Sequence, residues 1–197
     1  MTVSRVVCIV EGHGEVEATP IIIRRISQLI DPGSFVQIPS PIRVPKSKLL
    51  RSGELERAVE LAAQKAGNRG GILILLDSDS DCPAHLGPQL LQRATTARSD
   101  IPISVVLAKW EFESWFIAAA ESLRGLRNLA EDLAPPANIE DIQGAKEWLS
   151  KQMPSRLAYS ETLDQPALAS HFDFQAARHV DSFDKMYREE ERLLQMR

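Results

Sequence analysis

Cysteine is scarce in this chain: Cys8 and Cys82 are the only two among 197 residues. Two unpatterned cysteines cannot staple a fold, which excludes a disulfide scaffold and favours a reducing compartment. Cys8 lies in an apolar run and reads as a small buried residue. No apolar run approaches the ~20 residues of a bilayer-spanning helix, so no membrane partner is expected. The opening residues lack the basic segment, apolar core and cleavage site of a signal peptide, so a cytoplasmic location is expected. Excess positive charge is missing too. Lys+Arg 23 against Asp+Glu 27 leaves a net charge of −4, whereas proteins that coat nucleic acid through bulk charge are basic. Contact with nucleic acid would have to be local, through a basic patch or a bound cation.

Several common motifs are also absent. Gly12-His13-Gly14 lacks the third glycine of a dinucleotide fingerprint, with Glu17 in its place, and there is no Walker-type Gly-Lys-Ser/Thr. Asp77-Ser78-Asp79-Ser80-Asp81 begins like a calcium loop, but Cys82 and Pro88 stand where glycine and a bidentate glutamate are required. A haloacid-dehalogenase reading of that Asp-x-Asp is disfavoured because its nucleophile belongs to the first strand. Cys82 and His85 are too few for a zinc site.

What the chain does have is alternation. Residues 5–10 form a β-branched run without polar interruption, which suits a strand buried on both faces of a parallel sheet. A helical pattern follows over residues 15–30; Pro20 places its regular start near Thr19 or bends it there. Residues 34–38 read as a second strand, 39–45 as a proline-punctuated loop, and 54–66 as an amphipathic helix with Leu55, Ala58, Val59, Ala62 and Ala63 on one face. The strongest strand is 71–76, followed by a helix near 88–98, a strand at 103–108 and a helical stretch to Leu123. The expectation is an α/β fold, with a parallel sheet flanked by helices in residues 1–123. Residues 124–197 read as a helical C-terminal extension packed on it, ending in a helix over about 181–196.

The acids occupy telling positions. Glu11 follows the first strand, Asp77, Asp79 and Asp81 the third, and Glu111 and Glu113 the fourth. Ligands of open parallel sheets bind outside the carboxyl ends of the strands. Carboxylates gathered there repel one another unless a cation or a shared proton compensates, and hard oxygen donors favour Mg²⁺ or Mn²⁺ over zinc. Any one group has a plainer reading: a turn at Glu11, a helix-capping loop at 77–81, surface residues at Glu111 and Glu113. Arg43, Lys46, Lys48 and Arg51 form the densest basic stretch and read as a solvated loop or as a phosphate clamp, with Lys46 and Lys48 the phosphate-binding candidates. His13 could shuttle a proton or simply belong to its loop. Trp110, Phe112, Trp115 and Phe116 suit core packing better than base stacking.

Val10-Glu11-Gly12 and Leu76-Asp77-Ser78-Asp79 resemble the two motifs of the Toprim fold, a small Rossmann-like α/β domain. Glu11-Gly12-x-x-Glu15 is similar to the form found in overcoming-lysogenisation-defect nucleases. The run from Ala108 to Trp115, with Tyr159-Ser160-x-x-x-x-Asp164-Gln165 and Asp181-Ser182-Phe183, resembles an uncharacterised bacterial Toprim-like family associated with phage defence and a partner ATPase. The resemblance implies a Mg²⁺-dependent nuclease in which Glu11 is the general acid/base or a bridging ligand. Asp77 and Asp79 match metal ligands, Glu15 a second glutamate of the site, and Glu113 or Glu111 could complete it. The alternatives are a hydrolase of small nucleotides, or a non-catalytic binding or regulatory subunit of an ATPase complex. A homo-oligomer is left open.

Overall fold

A computed structural model describes residues 4–33 and 35–195; Ser34, where the second strand was expected to begin, and Met196, where the last helix was expected to end, lie outside them. Five parallel strands form one sheet: β1 (Ser4–Val10), β2 (Val36–Gln37), β3 (Ile42–Arg43), β4 (Gly70–Asp77) and β5 (Ile103–Ala108). Their order is β2-β1-β4-β5, with β3 also paired to β1. β2 lies beside the start of β1 and β3 beside its end, so the two share one edge. The second expected strand is thus shorter, and the loop after it contributes a strand of its own. Pro39 and Pro41, which have no N–H to donate, separate the two pieces. The strand carrying Asp77 is therefore the fourth in the chain and not the third.

Strand periodicity sorts the core into two faces. Val6, Cys8, Val10, Leu73, Leu75 and Val106 point to one side; Val7, Ile9, Ile72, Ile74, Leu76 and Val105 point to the other. The second face is covered by α2 (Lys46–Leu49), α3 (Glu54–Ala66) and α4 (Pro83–Ala97). The apolar stripe expected on α3 is buried, and Gly67 ends the helix at φ 66°, a conformation glycine adopts without steric cost. α4 starts at Pro83, earlier than the pattern suggested, because proline fits the first turn, where its missing N–H costs nothing.

The first face carries α1 (His13–Ile30) and most of the C-terminal third: α5 (Ser114–Ala118), α6 (Ala145–Lys151), α7 (Asp164–Ala169), α8 (Phe174–Ala177) and α9 (Asp181–Gln195). α1 begins at His13 and not near Thr19; Pro20 is buried within it. The Glu15 carboxylate accepts from the N–H groups of Glu11 and Gly12 at 2.9 and 3.3 Å. Two donors that a helix start leaves orphaned are thereby satisfied, which supports the earlier start. Leu29, near the end of this helix, is exposed.

Phe112, Trp115, Phe116, Phe172, Phe174 and Phe183 pack edge-to-face or tilted, with centroids 4.7–5.5 Å apart. Residues before and after position 124 thus share one apolar cluster. Ser182 fixes this cluster to the sheet by accepting from Trp115 Nε1 at 2.9 Å and from the Lys109 N–H at 3.3 Å. No helix among the described residues is long and apolar enough to cross a membrane.

One acid lies in this core away from the strand ends. Glu190 of α9 is fully buried, neither carboxylate oxygen has a hydrogen-bond partner, and burial pushes its pKa up to about 8. Burial of the Cys8 thiol, with the Glu190 charge adding to it, raises that group as well. The folded chain holds this proton above the pH at which the unfolded chain releases it. Glu190 therefore lowers stability as pH rises from about 4.5 towards 8. Glu190→Leu is expected to stabilise the protein by about 1–3 kcal/mol at neutral pH and to make that decline shallower, as read from urea unfolding between pH 5 and 9.

Candidate functional site

The chain turns away from β1 in opposite directions: β2 and β3 lie on one side of it, β4 and β5 on the other. The carboxyl ends of β1 and β4 therefore flank the point where such sheets bind ligands. Glu11 leaves β1 half-buried. Its Oε1 accepts from the Lys46 N–H at 3.2 Å, while Oε2 is buried without a hydrogen-bond partner. Asp77 closes β4, is 8% exposed, and accepts from the Phe112 N–H at 2.7 Å through Oδ1.

The next residues lock the exits of β4 and β5 together. Ser78 N–H donates to Ala108 at 2.8 Å, Asp79 N–H to Trp110 at 3.0 Å, and Trp110 N–H returns to Ser78 Oγ at 2.8 Å. Asp79 and Trp110 both have positive φ, 47° and 60°. That is uncommon for residues other than glycine, and such backbone strain concentrates at functional sites.

From β5 the chain delivers Glu113 and Glu111 to different tasks. Glu113 is fully buried; its Oε1 accepts from Tyr159 Oη at 2.9 Å and Gln165 Nε2 at 3.1 Å, while Oε2 has no partner. Glu111 Oε2 accepts from the N–H groups of Ala145 and Lys146 at 2.7 and 3.2 Å, and so satisfies donors at the start of α6.

Burial dominates the electrostatics. It raises the Asp77 carboxyl, helped by the charges of Glu15 and Glu113. It also pushes Glu15 and Glu113 up to about 7 each, against the opposing N–H donors of Glu11 and Gly12 and the charge of Lys146, respectively. Glu11 is raised by burial as well, with Asp79 adding to the effect. These acids are costly to ionise as they stand.

Two lysines offset part of that charge. Lys46 is 5% exposed. Its ammonium lies 2.9 Å from Asp79 Oδ2, 2.9 Å from Asp81 Oδ2, and donates to the Ser78 carbonyl at 2.7 Å. Burial opposes its charge, but the bonds to Asp79 and Asp81 outweigh burial and raise its pKa. Lys146 bridges Glu161 at 2.6 Å and Glu111 at 3.8 Å. The charges of Glu113 and Asp77, with the Glu161 bond, keep it protonated despite partial burial.

The other basic candidates behave differently. Lys48 reaches Glu54 at 3.5 Å and is exposed, as are Arg43 and Arg51. His13 is exposed on the first turn of α1. Among the described residues no group of three or more His, Cys, Asp or Glu side chains is arranged to hold a metal ion. Asp79 and Asp81 are turned onto Lys46, and Glu15 onto two backbone N–H groups.

Lys146, Tyr159, Gln165 and Glu161 were not anticipated as parts of this site. Tyr159 and Gln165 had stood out as a pattern without a task; they hold Glu113, and Asp164 between them accepts from the Ser160 N–H and pairs with Arg127 at 2.7 Å. Nothing adjacent in sequence marks Lys146, which only folding brings to the strand ends. Gly14 has a similar dependence on the C-terminal third: a Cβ there would run into the Gln165 side chain and the Glu161 carbonyl.

A family model described as Domain of unknown function (DUF4276) matches residues 10–189. No curated protein and no solved structure matches the chain. The matched span takes in the acids at the strand ends and the residues that hold them.

Because the obstacle at Gly14 includes backbone, it cannot simply rotate away. Gly14→Ala is expected to cost about 1–3 kcal/mol in urea unfolding and to loosen the Gln165–Glu113 bond, visible as altered amide shifts at Gln165.

Proposed function

The chain belongs to the DUF4276 family, and we propose that it is a Mg²⁺-dependent phosphodiesterase of Toprim-like design that cleaves nucleic acid. The observation that carries this reading is the gathering of buried, incompletely compensated carboxylates at the ends of β1, β4 and β5, with Glu11 Oε2 and Glu113 Oε2 lacking any hydrogen-bond partner. Oxygen donors of this kind suit a hard divalent cation, and buried anions without partners call for one. Asp77, Asp79 and Glu11 would hold the ion, which when bound polarises a phosphate and lowers the pKa of water.

The chain's own residues supply the remainder. Glu11 Oε2, with no protein donor, is suited to take a proton from an attacking water. Glu113, fixed by Tyr159 and Gln165, lies within electrostatic reach of Asp77, and its ionised form would help set where a cation settles. Glu15 ties Glu11 to the start of α1 through its backbone N–H. Arg43, Lys48 and Arg51 are exposed near the end of β3 and give an acidic protein a local basic surface for a phosphate backbone. The bacterial phage-defence setting and the partner ATPase enter this proposal through the resemblance of the Glu111–Trp115 and Tyr159–Gln165 segments.

Asp77→Asn keeps an oxygen for the Phe112 N–H, so the fold is retained while a ligand charge is lost. Mg²⁺-dependent cleavage of single- and double-stranded DNA and RNA is expected to fall by more than the ~100-fold that outlying changes around a metal reach. Unchanged cleavage by a folded Asp77→Asn protein would overturn the assignment.

A further inference from the structure

Lys46 touches the acids that follow both β1 and β4. Its backbone N–H meets Glu11 Oε1, and its ammonium meets Asp79, Asp81 and the Ser78 carbonyl. An ammonium has three N–H donors, and these three acceptors use them all. The lysine itself is nearly sealed from solvent, yet the Asp79 and Asp81 side chains are 60% and 47% exposed. A cation arriving from solvent can reach the carboxylates without first displacing protein atoms from their outer side. Asp79 meanwhile stands in the left-handed region, held by its N–H to Trp110 and its ion pair to Lys46. Glu11, whose Oε1 meets the Lys46 N–H, has its other carboxylate oxygen buried and unpartnered.

We propose that Lys46 is an exchangeable internal cation that competes with the divalent ion for Asp79 and Asp81, and that metal binding releases its ammonium as a donor for substrate phosphate. This inference rests on the metal reading above. Charge has to balance at so crowded a site. Lys46 offsets half of the charge of Asp79 and Asp81 while no other cation is there. A divalent ion on the same oxygens makes a neighbouring ammonium repulsive, and phosphate is the partner that restores balance. Metal and phosphate binding then reinforce one another, because each favours the same position of Lys46. A lysine suits such an exchange: its single charge sits on a flexible four-carbon stem, without the rigid fork that would fix an arginine on carboxylates.

Two measurements test this on the full chain with Mn²⁺ as the probe. In calorimetric titration without substrate, Lys46→Gln is expected to bind Mn²⁺ more tightly than wild type, by a factor within about 5- to 150-fold. Lys46→Met replaces it if the glutamine variant does not unfold cooperatively in urea. In wild type, acetic anhydride labelling read by mass spectrometry is expected to modify Lys46 several-fold faster once Mn²⁺ is bound. Tight binding by the variant alone also supports the exchange. Equal or weaker binding by the variant, or Lys46 labelling unchanged by bound Mn²⁺, overturns the exchange and leaves the metal reading standing. Absence of Mn²⁺ binding to wild type and variant alike overturns both.

Discussion

Negative charge crowded at the ends of three parallel strands is the constraint to which the rest of the molecule answers. Parallel pairing sends β1, β4 and β5 to the same edge, and each delivers carboxylates there. Burial then makes those carboxylates hard to ionise, so that Asp77, Glu15 and Glu113 are all displaced upward. The structure responds with backbone N–H donors to Glu15 and Asp77, phenol and amide donors to Glu113, and lysines at either flank. Glu11 Oε2 and Glu113 Oε2 remain outside that accommodation. An edge built for stability alone would have apolar residues in these places, since replacing buried charge by well-packed hydrophobic groups is often neutral or better.

The C-terminal third is part of that accommodation. It contributes Lys146, Tyr159 and Gln165 to the acids, and it covers one face of the sheet with aromatic side chains centred on Phe172 and Phe183. The contact between Gly14 and the 161–165 segment draws the start of α1 and the holder of Glu113 against each other. Glu15, at one end of this contact, and Glu113, at the other, are thereby fixed relative to Asp77. Ser182 does the same for Trp115 and the exit of β5.

Much of the fold was legible because its signals are local. The run 71–76 is apolar throughout and 103–108 is so but for Ser104, and strands covered on both faces are the ones that tolerate this; both lie where expected. The stripe on α3 follows helical spacing, and its burial follows from that spacing. The weaker elements were lost to competing signals. Pro20 argued for a late start to α1 or a bend within it, and the Glu15 carboxylate reaching back to the N–H groups of Glu11 and Gly12 favours a start at His13. Prolines in 39–45 suggested a loop, yet Ile42 and Arg43 between them pair with β1.

The sequence by itself determined that acids would follow the strands, because strand ends and charged residues are both written locally. It also determined the two-faced core, through the alternation of buried side chains along each strand. Tertiary structure decided what each acid does. Glu111 caps α6 while Glu113, two residues on, is buried against Tyr159 and Gln165, and no spacing rule distinguishes them. Lys46 and Lys48 share one basic stretch, but one ammonium is sealed between Asp79 and Asp81 and the other reaches Glu54 from solvent. These assignments depend on which distant segments meet in space, and folding sets those meetings through the whole packed core.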